Sequence, residues 1–89
     1  FNIASYSFLT HLIAQHCGLR AHEFIYHLGN CHIYDDHLHV LGEQIVREAH
    51  EFPTLEISTT RDSISDYTEK DFVVSDYNYH PAVKMEMRK

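Results

Sequence analysis

Cysteine is scarce in this sequence: only Cys17 and Cys31 occur among its 89 residues. Two cysteines are too few for the disulfide framework of a small secreted domain, so a fold held by several disulfides is excluded. Cys17 lies in an apolar stretch and Cys31 in a strand-like one. We therefore expect both thiols to be reduced and buried.

Basic residues are also few. Seven Lys and Arg stand against thirteen Asp and Glu, which gives a net charge of −6 with His neutral, and the basic residues form no cluster. This balance argues against a nucleic-acid-binding surface, which needs clustered positive charge. An anionic substrate would need positive groups from outside this chain.

Metal-binding motifs are missing although the sequence contains nine histidines. There is no HExxH motif and no paired CxxC. The densest run is residues 32–39, where His37 and His39 are two positions apart in a predicted helical turn and so point to different sides. We expect no metal site.

No Asp, Glu, Lys or Arg occurs before Arg20. Residues 1–18 are apolar around most of a helical circumference, which predicts a buried central helix that ends at Gly18. The remaining residues offer little to cover such a helix, and we interpret the chain as the C-terminal part of a larger domain. Without a basic leader or an uninterrupted apolar span, we expect no membrane anchor and a cytoplasmic location.

The rest of the chain alternates between strand-like and helix-like patterns. A second helix should begin at Asp35 or Asp36 as N-cap and carry an apolar face through Ala49. A helical turn is expected near residues 63–67 within a polar loop. This succession of predicted helices and strands indicates an α+β fold, in which the central helix packs on a mixed β-sheet and the second helix lies outside. The predicted strands and extended pieces are residues 23–28, 31–34, 55–59, 72–77 and 82–87.

Two positions suggest polar recognition. His32 and Tyr34 are two residues apart on a predicted strand, so they share a face, and an imidazole and a phenol side by side can hold one hydroxyl group. A half-buried pair satisfied by the backbone is an equal alternative. The amide of Asn2 could read a donor–acceptor edge such as that of uracil, although a simple role at the helix start is the default interpretation. Neither cysteine has the setting of a catalytic thiolate.

Several motifs together resemble one family. They are FNIASY before the long apolar helix, LGNCHIYDDH, Gln44 with Arg47-Glu48, Phe52-Pro53, and HPAVKMEM. This series is similar to the C-terminal third of thymidylate synthases and covers all 89 residues, 1–89, as part of one domain. The resemblance implies transfer of a one-carbon unit and a hydride from 5,10-methylenetetrahydrofolate to dUMP, giving dTMP and dihydrofolate, by a metal-free homodimer.

The resemblance also implies residue roles. Asn2 would bond the uracil edge, and His32 and Tyr34 would hold the deoxyribose 3′-hydroxyl. The residues expected against the folate are Phe1, Met87 and Arg88, on a tail that closes over the site. The family's nucleophilic cysteine follows a proline and precedes a histidine upstream of Phe1, so we expect no catalytic residue in this segment and no activity from it alone.

The sequence departs from the family pattern at some positions. Asn30 stands where many members have Asp, and the tail has Arg88-Lys89 where many members have small or apolar residues. Some members carry a dihydrofolate reductase domain upstream on the same chain. Two alternatives stay open: a hydroxymethylase that acts on dUMP with the same fold, and a non-catalytic nucleotide-binding fragment.

Overall fold

The first helix, α1, spans Asn2–His16 in the computed structural model, which describes residues 1–88. Cys17 is the C-cap, and Gly18 follows with a φ of 66°, the left-handed conformation that glycine adopts at low cost. The predicted helix and its end at Gly18 are confirmed. No helix within the described residues has the length and apolar character needed to span a membrane.

The second helix is shorter than predicted. A 3₁₀ turn at Asp35–His37 leads into α2, Leu38–Ile45, so Ala49 lies beyond its end. Neither Asp35 nor Asp36 serves as the N-cap, because the residue before the 3₁₀ turn is Tyr34 and no side chain caps it. The carboxylate of Asp36 pairs instead with Arg88 and is not available to cap the turn.

Two strands form the sheet: β1, Thr54–Ile57, and β2, Phe72–Ser75. They pair antiparallel, with Leu55 opposite Val74. The α+β class is confirmed, but the sheet formed by the described residues is antiparallel, not mixed. The predicted strands at residues 23–28, 31–34 and 82–87 are not assigned as strands. A strand requires a hydrogen-bonded neighbour, and residues 1–88 place none beside these segments.

A polar loop joins the two strands and contains the predicted helical turn, here a 3₁₀ turn at Ile64–Asp66. Asp71, at the end of the loop, is only 3% exposed. Its Oδ1 accepts a hydrogen bond from the Arg61 guanidinium at 2.6 Å, and its Oδ2 accepts one from the Thr68 backbone N–H at 2.9 Å. The hydrogen bond from Arg61 and, second, that from Thr68 hold the pKa of the Asp71 carboxyl below its ordinary value.

The helix α1 packs on one side of this hairpin. The rings of Phe8 and Phe72 lie 4.6 Å apart, and the rings of His16 and Tyr67 meet edge-on at 5.7 Å. These contacts orient α1 relative to the sheet, but they cover only one side of it.

Most of the apolar surface of the described residues stays uncovered. No hydrophobic residue within 1–88 is buried, and the radius of gyration is 16.7 Å, against about 12 Å for a compact domain of this length. The accessible area of 8216 Å² compares with about 5,400 Å² for a compact monomer of this mass. The expectation that α1 is buried, and with it both thiols, is therefore wrong for this chain by itself: Cys17 and Cys31 are free and exposed.

We predict that Arg61→Gln lowers the melting temperature of the intact protein by several degrees at pH 7. The substitution leaves a nearly buried carboxylate without its partner. Because the folded-state pKa of Asp71 is depressed, its stabilising contribution is present above the unfolded-state pKa and is lost as the pH falls through the folded-state value. The two melting temperatures should therefore converge below about pH 4.

Thermal unfolding followed by circular dichroism between pH 7 and pH 2 would measure this difference. Lys70→Gln is a matched control, since Lys70 lies beside Asp71 but forms no ion pair within residues 1–88. An equal loss in both variants, or a difference that does not change with pH, would contradict the proposed role of the Arg61–Asp71 pair.

Candidate functional site

His32 and Tyr34 lie side by side, as the sequence predicts. Their ring centroids are 5.8 Å apart and the rings meet edge-on at 82°. Both residues are exposed, and within residues 1–88 neither side chain hydrogen-bonds another protein group. The alternative of a pair satisfied by the backbone is thus not what the structure shows. Their polar atoms are available to one external hydroxyl group.

The next turn extends this pair toward the tail segment, which we define as residues 82–88. The ring of His37 meets the ring of Tyr34 edge-on, with centroids 5.4 Å apart. On its other side, His37 Nε2 lies 2.9 Å from the backbone carbonyl oxygen of Glu86 and donates a hydrogen bond to it in the Nε2–H tautomer. A continuous series of contacts therefore runs from His32 to the tail segment.

The tail segment is held a second time by an ion pair. The Arg88 guanidinium donates to the Asp36 carboxylate, with both side chains partly exposed. The hydrogen bond from Arg88 lowers the pKa of the Asp36 carboxyl below its ordinary value. Met87, which lies between the two attached residues, is 90% exposed. The structure thus brings Met87 and Arg88 to the turn that follows Tyr34.

Phe1 and Asn2 lie elsewhere, at the beginning of α1. Phe1 is the N-cap and is fully exposed, while Asn2 is the first helical residue and its side chain does not cap the helix. The Asn2 backbone carbonyl accepts a hydrogen bond from Ser5 Oγ at 3.1 Å, but its amide bonds no group among residues 1–88. The default interpretation of a cap is not supported. No hydrogen bond, ion pair or ring contact of the described chain joins Phe1 or Asn2 to His32 and Tyr34.

The sequence reasoning missed several contacts between distant residues. It assigns Asp36 only a capping role and His37 only a possible metal-binding role, yet these two residues hold the tail segment. His50 and His80 stack at 4.4 Å, and His80 Nε2 lies 2.7 Å from the carbonyl oxygen of Glu48. These pairs are distant in sequence, so no local pattern could have revealed them. Among residues 1–88, no group of three or more His, Cys, Asp or Glu is arranged to hold a metal ion.

Comparison with known proteins gives a consistent result. The family model described as thymidylate synthase matches residues 1–89. The thymidylate synthase of Francisella philomiragia is 49% identical over 87 residues, and that of Francisella tularensis subsp. holarctica is 48% identical over 87 residues. Each alignment covers 98% of this chain and 32% of the relative. The chain thus spans about a third of the length of the curated relatives it matches.

Proposed function

Because the chain belongs to the thymidylate synthase family, we propose that residues 1–89 form the C-terminal part of one thymidylate synthase domain. The enzyme that contains them would methylate dUMP to dTMP. In this proposal 5,10-methylenetetrahydrofolate is the co-substrate that supplies both the one-carbon unit and the hydride, and it leaves as dihydrofolate. The observation that carries the proposal is the adjacent, unengaged pair His32 and Tyr34 within a chain that the family model matches throughout.

The proposed role of His32 and Tyr34 is to bind the 3′-hydroxyl of the deoxyribose. A hydroxyl group both donates and accepts, and an imidazole beside a phenol can complement both functions at once. The edge-on arrangement at 5.8 Å leaves the Tyr34 hydroxyl and the His32 ring nitrogens free of other protein partners in the described chain. These two residues would set the position of the sugar and, through it, of the pyrimidine.

Asn2 is proposed to read the pyrimidine. Its carboxamide offers one acceptor and two donors, which match the N3–H and O4 edge of uracil. The corresponding edge of cytosine reverses this pattern, so the amide favours dUMP over dCMP where the complete active site holds it in one orientation. The support is its free amide at the exposed beginning of α1. Since Asn2 and the His32–Tyr34 pair are not in contact, they would meet through the bound nucleotide.

The folate would lie against Phe1, Met87 and Arg88. Phe1 and Met87 are 103% and 90% exposed, so each presents an apolar side chain that a flat pterin or aryl group can cover. Tail residues over the co-substrate would also keep water from the reacting atoms. This places one folate contact at the beginning of α1 and two on the tail segment.

The chain would not supply the whole active site. We propose that the nucleophilic cysteine lies outside these residues, as do the arginines that bind the phosphate, some of them from the second subunit of a homodimer. A net charge of −6 fits this division, because an acidic chain is poorly suited to bind a phosphate by itself. The isolated 89 residues would be inactive, and the enzyme would work in the cytoplasm.

The reaction test is formation of dihydrofolate, followed by absorbance, from dUMP and 5,10-methylenetetrahydrofolate with the full-length enzyme. We expect one dihydrofolate for each dTMP, because the folate supplies the hydride as well as the carbon. dCMP should turn over much more slowly, because the Asn2 amide, held in one orientation in the complete site, does not match its edge.

Two outcomes would contradict the proposal. Formation of hydroxymethyl-dUMP without dihydrofolate would identify a dUMP hydroxymethylase, in which water replaces the hydride. Nucleotide binding without any turnover, in an enzyme shown to be folded, would identify a non-catalytic nucleotide-binding protein.

We predict that Tyr34→Phe raises the KM for dUMP about fivefold to 150-fold, the loss expected for one substrate hydrogen bond worth about 1–3 kcal/mol. The substitution keeps the ring that packs on His32 and His37 and removes only the hydroxyl. The KM for 2′,3′-dideoxy-UMP should not change, because that nucleotide lacks the 3′-hydroxyl.

Steady-state kinetics with both nucleotides would measure this difference. Tyr79→Phe is the matched control, since Tyr79 is 72% exposed and its ring packs at a tilt against that of Tyr77, not against this pair. Equal KM increases for the two nucleotides would contradict a contact with the 3′-hydroxyl.

A further inference from the structure

The tail segment is attached to one turn of the chain at two adjacent points. The backbone carbonyl of Glu86 binds His37 Nε2 at 2.9 Å, and the Arg88 guanidinium binds the Asp36 carboxylate. Asp36 and His37 belong to the same 3₁₀ turn, Asp35–His37. Two contacts from neighbouring residues restrict both the position and the direction of a short segment, whereas one contact would let it rotate.

The two contacts lie on either side of Met87. The residue before Met87 is held through its backbone and the residue after it through its side chain. The Met87 side chain itself remains 90% exposed. The attachment therefore presents the one apolar side chain of this stretch outward, since Glu86 and Arg88 are both charged.

The same turn contacts the proposed nucleotide-binding pair. His37 packs edge-on against Tyr34 at 5.4 Å, and Tyr34 packs edge-on against His32 at 5.8 Å. The position of the tail segment is thus fixed relative to the side chains that would hold the sugar. A molecule bound to His32 and Tyr34 would lie next to Met87 only while the attachment is intact.

We propose that Asp36 and His37 are positioning residues that hold the tail segment so that Met87 covers the folate beside the nucleotide. The inference rests on the proposed function for the identity of the ligand, but the attachment itself does not depend on it. The Asp36–Arg88 ion pair depends on Arg88, which stands where many members of the family have a small or apolar tail residue. It would hold the tail segment beside the site before the folate arrives.

The test compares Asp36→Asn with Asp35→Asn in the full-length enzyme. Asp35 is the matched control because it lies in the same 3₁₀ turn but forms no ion pair within residues 1–88. The first readout is the ε-methyl NMR signal of Met87 in ligand-free enzyme, assigned by its loss in Met87→Leu. The second readout is the KM for 5,10-methylenetetrahydrofolate at saturating dUMP.

We expect Asp36→Asn to raise the detached fraction of the tail segment about twofold to fivefold, the range for a single exposed ion pair. The Met87 signal should move toward its position in an unstructured peptide, and the folate KM should rise by a similar factor while kcat changes less. Asp35→Asn should leave both readouts unchanged. The double variant Asp36→Arg with Arg88→Asp should restore much of the original Met87 signal in ligand-free enzyme.

An unchanged Met87 signal in Asp36→Asn, equal effects in the Asp35→Asn control, or no recovery in the double variant would overturn the inference. The NMR readout needs no turnover. An enzyme without dUMP activity that still shows the shift in Asp36→Asn would refute the proposed function and leave the attachment standing. Normal dUMP activity without a shift of the Met87 signal in Asp36→Asn would refute the attachment and leave the proposed function standing.

Discussion

The fold of this chain depends on apolar surface that the chain does not cover. No hydrophobic residue among residues 1–88 is buried, and the accessible area exceeds that of a compact monomer of the same mass by about 2,800 Å². Burial of apolar surface is the main stabilising term in folding, so these elements need further polypeptide to be stable. Two features share this cause: the helix α1, Asn2–His16, is exposed, and residues 23–28, which have a strand composition, form no strand.

One short turn connects the residues proposed to bind the sugar with those proposed to bind the folate. The 3₁₀ turn at Asp35–His37 contacts Tyr34 on one side and the tail segment on the other. It joins residues about fifty positions apart, so the proposed sugar contacts and the proposed folate contacts share one support. A second polar cluster, around Asp71, holds the loop between the strands. This cluster contributes to the stability of the protein and takes no part in the proposed binding of substrates.

Sequence reasoning worked where a local rule decides the outcome. The left-handed Gly18 ends α1, and the two-residue spacing places His32 beside Tyr34. The reasoning failed where the outcome depends on neighbours in space. Residues 23–28 have a strand composition, but without a hydrogen-bonded partner they form no strand. Asp36 has the chemistry of an N-cap, but Arg88, 52 residues away, engages its carboxylate. Such a distant pairing leaves no local signature.

The central claim is that residues 1–89 complete their core only against polypeptide outside them. Calorimetry of this chain alone and mixed with the preceding part of the full-length protein, where we propose that the nucleophilic cysteine lies, tests it directly. The account predicts no cooperative unfolding transition for the chain alone, and a cooperative transition together with dUMP turnover for the mixture. A sharp, cooperative transition of the isolated chain, unaltered by that preceding part, would contradict the account.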